Sequence, residues 1–292
     1  MVAPALSDAL GPKARRRTNL ASAVSVAALG YLVYVAIRRF HEAGQLDPGL
    51  WTTLFQPEVM RFLGIGLLNT LKTAAVALVL ASLLGTALAL GRLTPSLVIR
   101  TVSRSYVEFF RGFPLILLIV FSFFTLPRLG IDLTRFWSVV IALIAYNGAV
   151  LGEIFRAGIL SLDRGQTEAA EAIGLQRKQA MRLVILPQAF RRMTPTIVSQ
   201  FVTLLKDTSL AFVVGYEELL RTGQIAGEFF RNSLQALIVV SLMYLAVNYA
   251  LSRVARRLEA RQRRRYRADT IAIAAGPEDL VAVGLDLNQR PK

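Results

Sequence analysis

Long apolar runs alternate with short polar segments along most of this chain. An α-helix needs about 20 apolar residues to cross the hydrocarbon core of a bilayer, and six segments fit that requirement. They are Leu20–Ile37, Phe62–Leu90, Ser105–Leu126, Trp137–Ile154, Met193–Val214 and Ser233–Leu251. The pattern therefore predicts an all-α protein, a polytopic membrane helix bundle of about six transmembrane helices.

Lysine and arginine residues are concentrated in every second connection between these runs. With a cytoplasmic N-terminus, the cytoplasmic segments hold the dense groups Lys13–Arg17, Arg156–Arg192 and Arg253–Arg267. The segments on the other side hold only scattered arginines. Since basic residues are retained in cytoplasmic loops, the asymmetry predicts a multi-pass protein of the cytoplasmic (inner) membrane with both termini in the cytoplasm.

The composition of the chain limits the binding partners and the catalytic or metal sites it could have. The net charge is +15, but the basic residues flank apolar runs, so we expect the lipid membrane and not a nucleic acid as the partner of that charge. There are no cysteines and a single histidine, His41, in a polar stretch. This content excludes disulfides and cysteine nucleophiles, and it also excludes histidine-dependent triads and metal sites built from several histidines. We expect no catalytic residues, no metal site and no cofactor, which argues against a membrane-embedded enzyme.

The chain divides into four predicted parts. Residues 1–18 form a polar cytoplasmic tail, 19–38 a first transmembrane helix, and 62–257 the main membrane domain. Residues 258–292 combine an arginine cluster with acidic residues and proline, so we expect a disordered cytoplasmic tail there.

The segment Glu153–Pro187 is too polar to span a membrane and is expected on the cytoplasmic side. It reads as two short helices, the first with Thr167 as its N-cap and Glu168 at its positive end. Gly174 is expected to end that helix as a C-cap residue. A second, amphipathic stretch follows over Leu175–Leu186, and Pro187 is expected to end it.

The spacing within this segment is specific. Glu168-Ala169-Ala170, three residues, Gly174, nine residues and Val184-Ile185-Leu186-Pro187 resemble the EAA loop of ATP-binding-cassette (ABC) import permeases. The family pattern is EAA, three residues, G, nine residues and I-x-L-P, from which only Val184 departs. The resemblance implies that this loop docks on an ATPase subunit. The implied coupling residues are Glu168, Ala169, Ala170, Gly174, Ile185, Leu186 and Pro187.

Further segments resemble the polar amino-acid branch of that family, which includes glutamate, glutamine, histidine and arginine systems. The resemblance implies the type I ABC importer permease fold, whose core of about five helices makes Leu20–Ile37 an extra N-terminal span. It also implies three protein partners: the ATPase, an extracytoplasmic solute-binding protein and a second permease subunit, identical or related. The segments that carry it are Gly66–Leu71, Tyr106–Pro114, Glu153–Gly158 and Lys206–Leu210, with Phe113 where many relatives have Thr.

ATP cannot bind this chain through a phosphate loop, because such a loop requires a lysine directly after a glycine. None of the lysines, at positions 13, 72, 178, 206 and 292, follows a glycine. ATP must therefore act through a separate subunit, and this chain is predicted to be the non-catalytic permease of an importer of glutamate-like or glutamine-like amino acids.

Polar residues inside the predicted spans are candidates for the translocation path, because ionisable groups in the membrane tend to face a bundle interior or cavity. The candidates are Lys206, Asp207, Thr208 and Ser209, with Asn147 as a weaker one. Lys206 and Asp207 could instead neutralise each other or pair with other helices. Glu108–Arg111 and Glu153–Arg156 are expected to be structural pairs at helix ends.

Two other transport functions compete with this interpretation. A secondary transporter would need no ATPase, but no inverted repeat relates the two halves, and the EAA-like loop would be unexplained. An ABC importer permease for another small solute, such as a sugar or a metal chelate, is the closer competitor because the EAA loop occurs throughout the wider family.

Overall fold

The computed structural model describes residues 11–274 and is built from α-helices with short 3₁₀ and π segments. In that range it confirms the all-α prediction and gives five long apolar helices, or six spans if one bent helix pair is counted. The α-helices are α1 Pro12–Glu42, α2 Pro48–Thr52, α3 Pro57–Leu93, α4 Leu97–Gly112, α5 Leu115–Thr125, α6 Arg135–Leu160, α7 Arg164–Ala172, α8 Arg177–Ala180, α9 Leu186–Asp207, α10 Leu219–Phe229 and α11 Ser233–Ala274.

The predicted span Ser105–Leu126 is not one straight helix. It is divided between α4 and α5, which meet at an angle of 101°. Phe113 is extended, with φ −89° and ψ 134°, because a residue that precedes proline is disfavoured in the helical conformation. Pro114 therefore ends α4 and redirects the chain, and α4 also begins earlier than predicted.

Other boundaries also differ from the prediction. The predicted span Met193–Val214 consists of most of α9 followed by a 3₁₀ segment, Thr208–Val214. At the C-terminus α11 continues to Ala274, where a disordered tail had been expected from residue 258 onward. Residues 275–292 of that tail lie outside the described part of the chain, as do residues 1–10 at the other end.

Helices α3 and α6 form the centre of the bundle and approach each other closely at small residues. An added Cβ at Gly85 would lie 2.9 Å from the backbone nitrogen of Gly152 and 2.9 Å from Leu151 Cβ. Ala74, Ala77 and Ala81 lie on the same helix as Gly85 and are completely buried. Small residues allow close backbone approach in membrane helix pairs, and this crossing fixes the bundle that holds the candidate site.

The Gly85→Ala variant is expected to lower the stability of the bundle by about 1–3 kcal/mol, because the new methyl group meets backbone that cannot give way. Gly64→Ala on the same helix is the matched control, since nothing lies within 4 Å of its added Cβ. That change should be neutral or stabilising by up to about 1 kcal/mol. Thermal unfolding in detergent checks both, and equal effects would contradict the close crossing.

Helix α1 lies apart from this bundle, with none of its apolar window buried. The segment that follows α1 is hydrogen-bonded to residues at the start of α11. Gln235 Nε2 donates to the Gln45 carbonyl over 2.7 Å, and Asn232 Nδ2 donates to the Leu50 carbonyl over 2.8 Å. The predicted first span, residues 19–38, falls within α1.

Candidate coupling loop and translocation path

Helix α7 begins one turn earlier than predicted. Its N-cap is Asp163, whose side chain accepts a hydrogen bond of 2.8 Å from the Gly165 amide. The predicted N-cap, Thr167, is the fourth residue of the helix, and Glu168 consequently lies in its second turn. An aspartate with a glycine two residues later can close this turn locally, and aspartate is a stronger N-cap than threonine.

The end of α7 is as predicted, at Gly174. This glycine has a φ of +85°, in the left-handed region. Its amide donates to the Glu171 carbonyl over 2.9 Å, and the Leu175 amide donates to the Ala170 carbonyl over 3.1 Å. These two bonds form a complete Schellman motif, which fixes the direction in which the chain leaves the helix.

The surface of α7 combines charge with exposed apolar area. Glu168 and Ala169 are exposed, whereas Ala170 faces the protein and is 3% exposed. Ile173, at the C-cap, is 77% exposed. Ile173 was not among the predicted coupling residues, although a large apolar residue directly before the glycine in an otherwise polar segment is a signal for an exposed contact surface.

The second half of the loop is anchored in the bundle. Ile185 is 5% exposed and packs in the same apolar cluster as Phe155, Ala189 and Met193. Pro187 does not end the amphipathic stretch as predicted; the helix continues through it, from the π segment Met181–Ile185 into α9. Of the predicted coupling residues, Glu168, Ala169, Gly174 and Pro187 are exposed, Leu186 is partly exposed, and Ala170 and Ile185 are buried.

A π-helical segment, Met181–Ile185, joins α8 to α9. Two side-chain contacts then tie the start of α9 to the loop. Gln188 Nε2 donates to Gln166 Oε1 of α7 over 3.0 Å. Arg192 donates to the Ser161 carbonyl, just after α6, over 2.8 Å. The start of α9 is therefore hydrogen-bonded both to α7 and to the end of α6.

Glu153 on α6 is the centre of an ionic cluster. It pairs with Arg92 at the end of α3, with Arg156 at 2.6 Å, and with Arg111 of α4 at 3.8 Å. The Glu153–Arg156 prediction is confirmed. The predicted Glu108–Arg111 pair is wrong, because Glu108 pairs with Arg104 at 2.7 Å.

A polar cluster lies where α6 meets the end of α9. Gln200 Nε2 donates to Asn147 Oδ1 over 2.9 Å, and the Asn147 amide lies beside the Asp207 carboxyl group. Asn147 Nδ2 and Asp207 Oδ2 are buried and have no hydrogen-bond partner among the described residues. Buried polar atoms are normally paired, and here the two without a partner belong to neighbouring groups, one a donor and the other an acceptor.

Lys206 differs from its neighbour. Its side chain is exposed, whereas Asp207 is half-buried, and no ion pair within 4 Å joins the two in the described chain. Mutual neutralisation of a buried lysine and aspartate is thus not what the structure shows. The hydroxyls of Thr208 and Ser209 each donate 2.7 Å bonds to carbonyls three residues earlier, and Thr208 is fully buried.

A second buried carboxylate, Glu218, lies between the spans. It caps α10 by accepting from the backbone amides of Leu220 and Arg221, and it accepts a 2.6 Å bond from the Tyr244 hydroxyl of α11. Burial raises the pKa of Glu218, although these hydrogen bonds act in the opposite direction. All its partners are within the protein, so Glu218 fastens α10 to α11.

The family described as binding-protein-dependent transport system inner membrane component matches residues 77–264. A glutamate transport system permease protein of Corynebacterium glutamicum is 38% identical over 239 residues, covering 80% of this chain and 87% of that protein. A probable glutamine ABC transporter permease protein of Bacillus subtilis is 41% identical, covering 71% of this chain and 97% of that protein.

Among solved structures, an amino acid ABC transporter described with histidines aligns with a TM-score of 0.66 at 30% identity, covering 71% of this chain and 97% of that chain. An inward-facing MetNI methionine ABC transporter shares the fold at 20% identity, with a TM-score of 0.57. These matches confirm the type I importer permease fold predicted from the loop. The chain belongs to the family of binding-protein-dependent transport system inner membrane components, and it is a permease subunit of an ABC importer, not an enzyme.

Proposed function

We propose that this chain carries a polar amino acid of the glutamate or glutamine type across the cytoplasmic membrane, driven by ATP hydrolysis on a separate subunit. The names of the relatives in Corynebacterium glutamicum and Bacillus subtilis support the substrate class. An extracytoplasmic solute-binding protein would deliver the substrate, and a second permease subunit, identical or related, would complete the pathway.

The observation that carries this proposal is the course of α9. This single helix begins at Leu186, beside the candidate coupling loop, and ends at Asp207, beside Asn147. Its 22 residues span about 33 Å, close to the thickness of the hydrocarbon core. A displacement of α7 by a docked ATPase would therefore reach the polar cluster through one continuous element.

The chemistry of the polar cluster suits an amino acid. A zwitterion presents an ammonium group and a carboxylate, and both lose hydration when they enter the membrane. We assign the unpaired oxygen of Asp207 to the ammonium group and the exposed ammonium of Lys206 to the carboxylate. Asn147 and the hydroxyls of Thr208 and Ser209 supply further polar atoms at the same level of the bundle.

The exposure of Lys206 also bears on the second permease. A charged side chain that faced lipid would be costly. We infer that a second permease subunit covers this face of α9, so that the path runs between two subunits. Orientation is part of the same proposal: the loop Glu153–Pro187 and both termini face the cytoplasm.

Substrate competition in proteoliposomes tests the proposal. With the ATPase and binding protein reconstituted, labelled glutamate or glutamine should enter only with internal ATP. Glutarate lacks the ammonium group and 4-aminobutyrate lacks the α-carboxylate, so both should compete poorly. No ATP-dependent uptake of either labelled amino acid would favour another solute, and uptake driven by an ion gradient without ATP would contradict the importer.

Orientation is tested separately by labelling of single introduced cysteines, which is possible because the chain has no cysteine of its own. Cysteine at Lys178, exposed in the coupling loop, should resist an impermeant thiol reagent in intact cells. Cysteine at Glu228, exposed after the fourth long helix, should react with it. The reverse pattern would overturn the proposed orientation.

A further inference from the structure

Helix α4 presents three distinct faces, only one of which contacts the bundle. Ser103 and Val107 are buried against the other helices, and Val107 packs with Leu88 of α3 and Ala149 of α6. The remaining two thirds of the helix circumference is exposed. One exposed face is apolar and the other is strongly basic.

The apolar face is a stripe at helical spacing. Val98, Val102 and Phe109 are 72%, 64% and 58% exposed, and the exposed Ser105 lies between them. This stripe leads toward the bend and is followed on α5 by Leu117 and Phe121, which are 50% and 54% exposed. Apolar surface of this kind on a membrane protein is suited to acyl chains.

The basic face is richer in positive than in negative charge. Arg100 and Arg104 of α4 are exposed, and Arg104 pairs with the exposed Glu108. Arg111 continues this face with 48% of its side chain exposed, and it shares Glu153 with two further arginines. Guanidinium groups bind phosphate well because their N–H donors match its oxygens.

We propose that α4 lies along the cytoplasmic interface of the membrane and binds the headgroup of an anionic phospholipid. At 100° per residue the arginines lie roughly 160° around α4 from the Val98–Phe109 stripe. A helix with an apolar side and an opposite basic side lies in the plane of the interface, with its apolar side toward the acyl chains and its arginines attracting anionic headgroups. The apolar stripe favours a lipid over a soluble anion, which would not require it. The inference depends on the orientation proposed above but not on the substrate.

The absence of native cysteine allows a direct test in the assembled importer. Ser105→Cys places a fluorescent label on the exposed stripe, which is then quenched by brominated lipids in proteoliposomes. Brominated phosphatidylglycerol should quench more than brominated phosphatidylcholine at equal mole fraction. An arginine at the membrane surface favours anionic lipid by about fivefold, so the difference should be readily measured.

Two double variants decide whether the arginines cause this preference. Arg100→Gln with Arg104→Gln should make the two lipids quench equally. Arg128→Gln with Arg135→Gln removes the same charge from exposed positions at the other end of α5 and α6, and it should leave the preference intact. Equal quenching in the parent, or no quenching by either lipid because protein covers the stripe, would overturn the proposal.

Discussion

The Gly174→Val variant is expected to reach the membrane and keep its fold, yet to lose most ATP-driven uptake. Gly174 has a φ of +85°, which a β-branched residue adopts only at a cost of about 1–2 kcal/mol. Opening of the Schellman motif would redirect the chain and misplace the exposed Ile173 relative to the ATPase. Co-purification of the ATPase and substrate-stimulated hydrolysis in proteoliposomes measure the effect.

Gly44→Val is the matched control. Gly44 has a φ of +68° and nothing within 4 Å of its added Cβ, so it meets a similar backbone penalty in the connection after α1, away from the loop. It should keep normal coupling. Ile173→Ser tests the same docking surface without backbone strain, and Ile131→Ser, at a residue 50% exposed on the other side, is its control. If Gly174→Val and Ile173→Ser transport at the parental rate, the loop is a surface hairpin.

The Asp207→Asn variant is expected to lower uptake by about tenfold or more, the equivalent of one charge-assisted hydrogen bond to the substrate. The reason is the buried oxygen of Asp207 that has no hydrogen-bond partner among the described residues and that an ammonium group of the substrate would satisfy. Assembly with the ATPase should survive, because Asp207 is a helix length away from the coupling loop. Initial uptake rates against substrate concentration measure the change.

Stability separates a substrate contact from a structural role. Removal of a buried charge that has no partner should leave thermal stability unchanged or raised, whereas loss of a structural ion pair would lower it. Asp132→Asn is the control, since Asp132 is exposed in the connection before α6 and should affect neither quantity. Parental uptake kinetics in Asp207→Asn, or a fall in stability that accompanies the loss of uptake, would exclude Asp207 from the path.

The membrane helices and the end of α7 could be predicted because their signals are local. Apolar length alone identifies the long helices, and the glycine at 174 is required by backbone geometry at the end of α7. The bend between α4 and α5 was within reach as well. Pro114 lies in the middle of a predicted span, and that span was predicted from its apolar content alone. The conformational restriction that proline imposes on Phe113 is the local signal for the bend.

Partner choice among charged residues could not be predicted from spacing. Glu108 has Arg104 and Arg111 at equally plausible helical distances, and it pairs with Arg104 because Arg111 is drawn to Glu153 on another helix. The exposure of Lys206 beside the half-buried Asp207 has the same origin. Which side of α9 faces α6 depends on tertiary packing, so the assignment of path residues stays a prediction that transport measurements must test.

The π-helical segment Met181–Ile185 has a consequence for insertions and deletions in the loop. A π turn holds one more residue than an α turn, so it accommodates an extra residue without changing the rotational phase between α8 and α9. Loss of one residue here would let the turn relax to α and leave Asp207 beside Asn147. Loss of one residue between Pro187 and Asp207 would instead rotate Asp207 by roughly 100° about the axis of α9. The π turn is therefore the one place along this helix where a change of length is tolerated.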